Sequence, residues 1–399
     1  MLDTLPMPLG PIDRRAAPAS ISRPFEATRP AAHRLPITFS GSGSEYFRIW
    51  SVNLLLTLVT LGLYYPWAKV RRLRYFYANT AVGGHTLDFH GDPKRMLRGF
   101  LLVGAMVLLY SFAGRISPTA GLIAFVIVAA VWPALLRASQ QFRLANTSWR
   151  GLRFRFTGDL PGAYRAMLPL FVPGALSLLA AALASDVGVA STGLAALLLL
   201  PLLLWLLKKY QHDHFALGQL QTELRTGAGS FYGLGLKALG VALLAALVAG
   251  TLAAILGGGG MLGLAVGSGR GAAAAAAIVA IVAAVIVAYA AIILVVHPYL
   301  TARLQNRVWG RTLSAELRFE SELRFGPLAL LTLKNWALVL LTLGLYWPFA
   351  RIATTRMRLQ AVSVHTLLAP DALVSALRER ADDASGDAAG DLFGIDIGL

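Results

Sequence analysis

The sequence contains no cysteine. Disulfides and thiolate metal sites are therefore excluded. Charge is sparse: Asp, Glu, Lys and Arg make up 14% of the 399 residues, against about 25% in a soluble domain. The paired apolar runs carry no charged residue in their middles. Proton relays and ion paths inside a bilayer are usually built from such residues, so a carboxylate-based proton pump is not expected. The seven histidines are scattered, and no nucleophile–histidine–acid order stands out. The glycine-rich "GGGGMLGLAVGSGRG" lacks the strand and lysine of a phosphate cradle. It reads as a loop or a close helix contact through Gly263 and Gly267. "YQHDHFALG" offers His212, Asp213 and His214 but no further donor nearby. It is expected to be a solvated polar loop. No metal, cofactor or enzymatic activity is expected.

What is present is apolar and basic. Hydrophobic residues make up 56% of the chain and the net charge is +16. Basic residues cluster beside apolar runs, so topology and anionic lipid explain them, and nucleic acid is not expected as a partner. Residues 1–36 are proline-rich without an apolar core and read as a disordered basic tail, not a signal peptide. Residues 369–399 read as an acidic tail. Between them, 37–368 reads as a membrane domain.

Six apolar runs come in pairs: Phe100–Gly114 with Pro118–Leu136, Met167–Ala184 with Ser191–Leu207, and Leu236–Leu256 with Ala272–Val296. Each is near the roughly 20 residues that a bilayer core requires. Their short connections suit antiparallel helical hairpins, and the long basic connections between pairs point to the cytoplasm. Two further runs, Ile49–Trp67 and Leu328–Ala350, stand alone with basic residues on both sides. They end in near-identical stretches, "TLGLYYPWAKVRRLR" and "TLGLYWPFARIATTRMR", about 280 residues apart. Gly62 and Gly344 permit unusual backbone angles, and Pro66 and Pro348 break the helical pattern.

The soluble segments recur too. "HTLDFHGD" resembles "LRFRFTGD", with weaker relatives in "ITFSGSG" and "AELRFESE". Their period-two alternation marks strands, each closed by glycine where one is present. The sequence thus divides into modules of strand, apolar hairpin, basic helix and strand: 37–91, 89–158, 156–229, 230–319 and 317–368. The expected fold is mainly α, a polytopic membrane protein of repeated helical hairpins with a small cytoplasmic β layer. The two lone runs are either re-entrant elements, with both termini cytoplasmic, or ordinary spans in an eight-span chain.

Phe39–Gly91, with "NWALVLLTLGLYWPFARIATTRMR" and "RLQNRVWGRT" later in the chain, resembles the YjgN-like family of bacterial inner-membrane proteins. The resemblance implies a multi-pass inner-membrane protein and no established substrate. The sequence departs from its own pattern at Ala361-Val362, where the first module has Asn79-Thr80.

Two functional readings follow. In the first, the protein is a transporter or channel whose broken elements line a pathway. Asn53 and Asn335, at matching positions, then bond across the pair, bond a substrate or pack helices, together with Gly62, Pro66, Gly344 and Pro348. In the alternative, it is a non-catalytic membrane scaffold or lipid-organising protein that binds anionic headgroups or a partner. Arg71, Arg72, Arg74, Arg351, Arg356 and Arg358 are then the candidate site for anionic headgroups or another anionic ligand. The oligomeric state is left open.

Overall fold

The computed structural model describes residues 33–183, 185–265 and 270–379. Helices dominate. Six are long and apolar enough to cross a membrane: Pro93–Ile116, Pro118–Ala145, Leu160–Ala181, Asp186–His212, Ala228–Val248 and Val285–Trp309. They match the three expected pairs. The chain is a polytopic membrane protein.

The helices form five pairs. α1 (Gly43–Val59) pairs with α2 (Tyr65–Ala78), α3 (Pro93–Ile116) with α4 (Pro118–Ala145), and α5 (Leu160–Ala182) with α6 (Asp186–His212). α7 (Ala228–Ala265) pairs with α8 (Arg270–Ala291), which runs through a π-helical turn at Ile292–Val296 into α9 (His297–Trp309). α10 (Phe325–Leu341) pairs with α11 (Trp347–Gln360). α7 continues through Gly257–Gly260 and Gly263, where a loop or a close helix contact was expected. Gly267 lies outside the described residues.

Each pair packs on the next, and α11 packs on α1, so the helices close a ring. The ring seam is aromatic: Phe47 of α1 meets Phe349 of α11 with centroids 5.8 Å apart. Gly43 lies under the same Phe349 ring, where a Cβ would come within 2.4 Å.

The strands form an antiparallel sheet in the order β7-β6-β5-β4-β3-β2-β1-β11-β10-β9-β8. The long members are β1 (His33–Phe39), β3 (His85–Phe89), β5 (Leu152–Phe156), β10 (Leu317–Ser321) and β11 (Val362–Thr366). The short ones are β2 (Thr80–Val82), β4 (Thr147–Trp149), β6 (Phe215–Leu217), β7 (Leu220–Gln221), β8 (Glu223–Leu224) and β9 (Thr312–Leu313). The two edge strands, β7 and β8, are separated only by Thr222. One continuous stretch therefore pairs with β6 through Leu220 and Gln221, and with β9 through Glu223 and Leu224. Through this join the order of the described strands returns to its start, so the sheet closes into a ring. β1 starts at His33, within the stretch read as tail, because His33–Pro36 pairs with Ser363–Thr366 of β11.

A last helix, α12, covers 370–379, where the sequence reads as tail. Its Leu373, Val374 and Leu377 pack with Leu35, Trp149, Leu152, Leu217, Leu220, Leu317 and Val364 of the strands. The helix occupies the inside of the strand ring and supplies the apolar core that seven strands share.

Candidate functional site

The "F-x-G" stretches are the joints of the assembly. Phe39, Phe89 and Phe156 are buried and fold back over the glycine two residues later. A Cβ on Gly41, Gly91 or Gly158 would lie 2.5–2.6 Å from that ring. An aromatic residue of the following basic helix completes the cover: Tyr75 over Gly41, Phe142 over Gly91 and Tyr210 over Gly158. The next residue caps the next helix. The side chains of Ser42, Asp92 and Asp159 accept from the backbone N–H of Glu45, Lys94 and Gly162, satisfying donors that a helix start leaves open.

Arginines then tie each of three helix pairs to the glycine joint that opens the next pair. Arg74 of α2 donates to the Gly91 carbonyl at 3.2 Å, Arg137 of α4 to Gly158 at 2.8 Å, and Arg356 of α11 to Gly41 at 2.7 Å. The last bond joins α11 to the joint that precedes α1. The basic helices end as their Asn-Thr pairs suggest. Asn79 and Asn146 donate to the carbonyls of Tyr75 and Phe142, and Thr80 and Thr147 to those of Phe76 and Arg143.

The two lone runs are helix–turn–helix pairs with matching turns. Leu61 and Leu343 have φ of 48° and 49°, and Gly62 and Gly344 of 92° and 94°. Gly62 N–H donates to Thr57, and Gly344 N–H to Val339, each at 2.7 Å. Glycine is favoured at such positive φ. Thr60 and Thr342 accept from the backbone N–H of Tyr64 and Tyr346 at 2.9 Å. Pro66 and Pro348, both fully buried, sit in the first turn of α2 and α11, where the missing N–H costs nothing. At the base of the first pair, the Tyr75 hydroxyl meets Ser42 and Glu45, so α1 and α2 run antiparallel and both return to the sheet.

Asn53 and Asn335 do not meet. Each donates within its own pair, Asn53 to the Ala68 carbonyl at 3.5 Å and Asn335 to Ala350 at 3.4 Å and Thr354 at 3.2 Å. Their Oδ1 atoms are buried without a partner. Both side chains thus bond within their own helix pair, with one acceptor each left over.

The six arginines expected to form one headgroup site divide. Arg74 and Arg356 hold glycine carbonyls, as above. Arg358 donates to Gln305 at 2.9 Å. Arg72 and Arg351 converge from α2 and α11 on Tyr46, close enough for both charges to act on it. Arg71 is exposed. Burial and the neighbouring Arg351 charge hold the Arg358 guanidinium below its ordinary value.

His212 corrects the reading of a solvated loop. It is the last residue of α6, only 4% exposed, and its Nδ1 lies 3.0 Å from the Thr312 hydroxyl. The Thr222 hydroxyl donates to its carbonyl. Asp213 accepts from Leu224 N–H and pairs with Lys209 at 2.8 Å. "QHDH" is therefore part of the joint that closes the sheet between β7, β8 and β9. His212 and Asp213 find partners inside the fold, up to 100 residues away, which sequence spacing does not reveal. Among the described residues no group of three or more His, Cys, Asp or Glu side chains could hold a metal ion.

Comparison with known proteins gives one family and a few named relatives. The chain is similar to inner membrane protein YjgN of Salmonella typhimurium LT2, 30% identical over 139 residues, which is 35% of each chain. It is also similar to the YjgN proteins of Escherichia coli O157:H7 (30% over 132 residues, 32% of each) and K12 (28% over 130 residues, 31% of each). The aligned part thus spans about a third of the length of these curated relatives. No solved structure matches. A family model described as "Bacterial protein of unknown function (DUF898)" matches residues 34–392, most of the chain from β1 past α12, and the protein belongs to that family.

Proposed function

We propose that this protein is a ring-shaped conduit of the bacterial inner membrane, a transporter or channel-like protein built from five repeated modules. The observation that carries this reading is double closure: ten helical limbs and eleven strands each form a ring, and every helix pair leaves from and returns to the strand ring. A closed ring defines an inside that lipid does not reach, which a bundle formed only to anchor a surface domain has no need of.

In this reading the three long pairs cross the bilayer and the two short ones dip into it. From Arg48 to the turn at Thr60 is twelve residues, or about 18 Å at 1.5 Å per residue, short of a hydrocarbon core of ~30 Å. The apolar tips Leu61 and Leu343 are each 95% exposed, as suits contact with lipid. The basic helices all sit at the strand-ring end, which puts that ring and both termini in the cytoplasm. Exposed Arg71 and Arg351 would then lie at the level of anionic headgroups. The protein carries out no covalent chemistry in this account.

One observation favours the scaffold reading: α12 fills the strand ring, so the inside is sealed at that end. The test is solute efflux from proteoliposomes. Flux of at least one small solute above that of empty vesicles is expected, and it should increase when α12 is displaced by Leu377→Asp. Absence of flux for a panel of small anions, cations and neutral solutes, in both forms, would select the scaffold.

Sidedness has its own check, since the chain has no cysteine background. Thr119→Cys, at the exposed start of α4, should react with an impermeant thiol reagent in intact cells. Thr86→Cys, exposed on β3, should react only after the cells are opened. The reverse pattern would place the strand ring outside.

A further inference from the structure

We propose that the inside of the helix ring, where it meets the strand ring, holds a binding site for a phosphate-type oxyanion, formed by Arg143, Lys208 and Arg358 with Gln140, Gln211 and Gln305. The site deepens the conduit reading and takes its location from it, but its test is binding and not flux.

The first observation is placement. Arg143 stands on α4, Lys208 on α6, Gln305 on α9 and Arg358 on α11. The charges of Arg143 and Arg358 both act on Lys208. Gln305 and Arg358 bond reciprocally: Arg358 Nε donates to Gln305 Oε1 at 2.9 Å, and Gln305 Nε2 donates to the Arg358 carbonyl at 2.8 Å. α6 and α11 are not neighbours around the ring, whichever way it is followed. Side chains from such helices can meet only inside it. A charge that merely anchors topology would face headgroups on the outer rim.

The second observation is chemistry. Each cation has a neutral amide for its partner and none has a carboxylate. Arg143 donates to Gln140 at 2.9 Å and Lys208 to Gln211 at 3.3 Å, each three residues away on its own helix. No salt bridge among the described residues reaches Arg143, Lys208 or Arg358. The nearest acidic side chains in sequence are committed elsewhere: Asp159 caps α5 and Asp213 pairs with Lys209. Like charges brought together without counter-charge repel, and Arg143 and Arg358 are exposed enough for a solute to reach. An anion removes the repulsion.

The third observation is register. Counting from the proline in each basic limb, the seventh residue is Gln140 after Pro133, Lys208 after Pro201 and Gln305 after Pro298; the tenth is Arg143, Gln211 and, after Pro348, Arg358. Positions three apart share one helix face. Six of these eight positions on four limbs are thus long cations or amides, the other two being Val308 and Thr355. Two guanidiniums present planar forks that match the oxygens of phosphate, and the amides can present N–H to the remaining ones. A free phosphate and a phospholipid headgroup share this chemistry.

The test uses the full chain purified in an uncharged detergent. Inorganic phosphate, titrated at constant ionic strength against chloride, should raise the melting temperature. In R143Q/R358Q its apparent affinity should fall at least tenfold, and in Arg115→Gln, at the other end of α3, it should be unchanged. If that double variant fails to fold, K208Q serves instead. By removing repulsion it should melt higher than the parent without phosphate, and gain less when phosphate is added. Response to phosphatidylglycerol nanodiscs but not to phosphate, with the same dependence on Arg143 and Arg358, would assign the site to a headgroup. No response to either beyond chloride, or responses that these variants leave unchanged, would overturn the site. Flux without such binding removes the site and leaves the conduit; binding without flux does the reverse.

Discussion

Leu377→Asp is expected to expel α12 from the strand ring and to lower the melting temperature sharply. Leu377 is fully buried and Leu373 is 1% exposed. Both face residues from across the sheet, including Leu35 of β1, Leu152 of β5, Leu220 of β7 and Val364 of β11. Truncating one such leucine to alanine costs about 2–5 kcal/mol, and an unpaired carboxylate among apolar groups costs several kcal/mol more. The polar contacts at the rim cannot hold the helix alone. Arg150 pairs with Asp371, and Arg378 donates to the Arg150 carbonyl at 2.9 Å, but the Asp371 carboxylate is largely exposed and such pairs contribute little. The hydrogen bond and charge of Arg150 hold Asp371 below its ordinary value of 3.8. Its contribution is therefore complete above that value and is lost only as pH falls through the lowered one, so α12 should stay docked across the neutral range. Limited proteolysis within 370–379 reads the outcome: rapid cleavage in the variant and protection in the parent. Equal protection in both would show that the helix does not depend on the apolar core.

How much of this was legible in advance differs by element. The six spans were, because apolar length alone defines them. So were the four alternating strands and the helix ends at Asn79-Thr80 and Asn146-Thr147, where a local bond settles the conformation. Ring closure was not. It rests on His33–Pro36 meeting Ser363–Thr366 and on Thr222 bridging two-residue strands, pairings too short and too distant to leave a periodic signal. α12 was hidden by composition. The aspartates from Asp382 onward make the whole end read as acidic, although Leu373, Val374 and Leu377 already share one helix face. Of the candidate site, the identity of the arginines was visible and their division was not. Arg74, Arg356 and Arg358 look alike in sequence, yet two bond glycine carbonyls and one meets Gln305. Arg143 and Lys208 were passed over as ordinary basic-connection residues. What singles them out is the company of α11, some 150 or more residues further along the chain.

Gly158→Val should be the most damaging small change in the strand ring. A Cβ there would lie 2.6 Å from Phe156 Cε1 and 2.7 Å from the Tyr210 hydroxyl. Neither neighbour can give way cheaply. Phe156 is 6% exposed and packs edge-on to Tyr210, with centroids 5.5 Å apart. Tyr210 donates to the Asp159 carbonyl at 2.9 Å, and the Asp159 side chain caps α5. Arg137 holds the carbonyl of Gly158 itself at 2.8 Å. A shift at this one residue therefore disturbs a strand end, a helix start and the bond to α4 together. Overpacking alone costs about 1–3 kcal/mol, and a lost cap adds ~1 kcal/mol. Gly104→Val is the comparison, since nothing lies within 4 Å of a Cβ at that position. Thermal melts of the two variants in detergent should separate widely, with Gly104→Val near the parent and Gly158→Val far below it. If they melt together, the glycine of the F-x-G joint is not set by the ring above it. The same contrast at Gly41 and Gly91, whose Cβ positions are as crowded, would show whether the joint works alike around the ring.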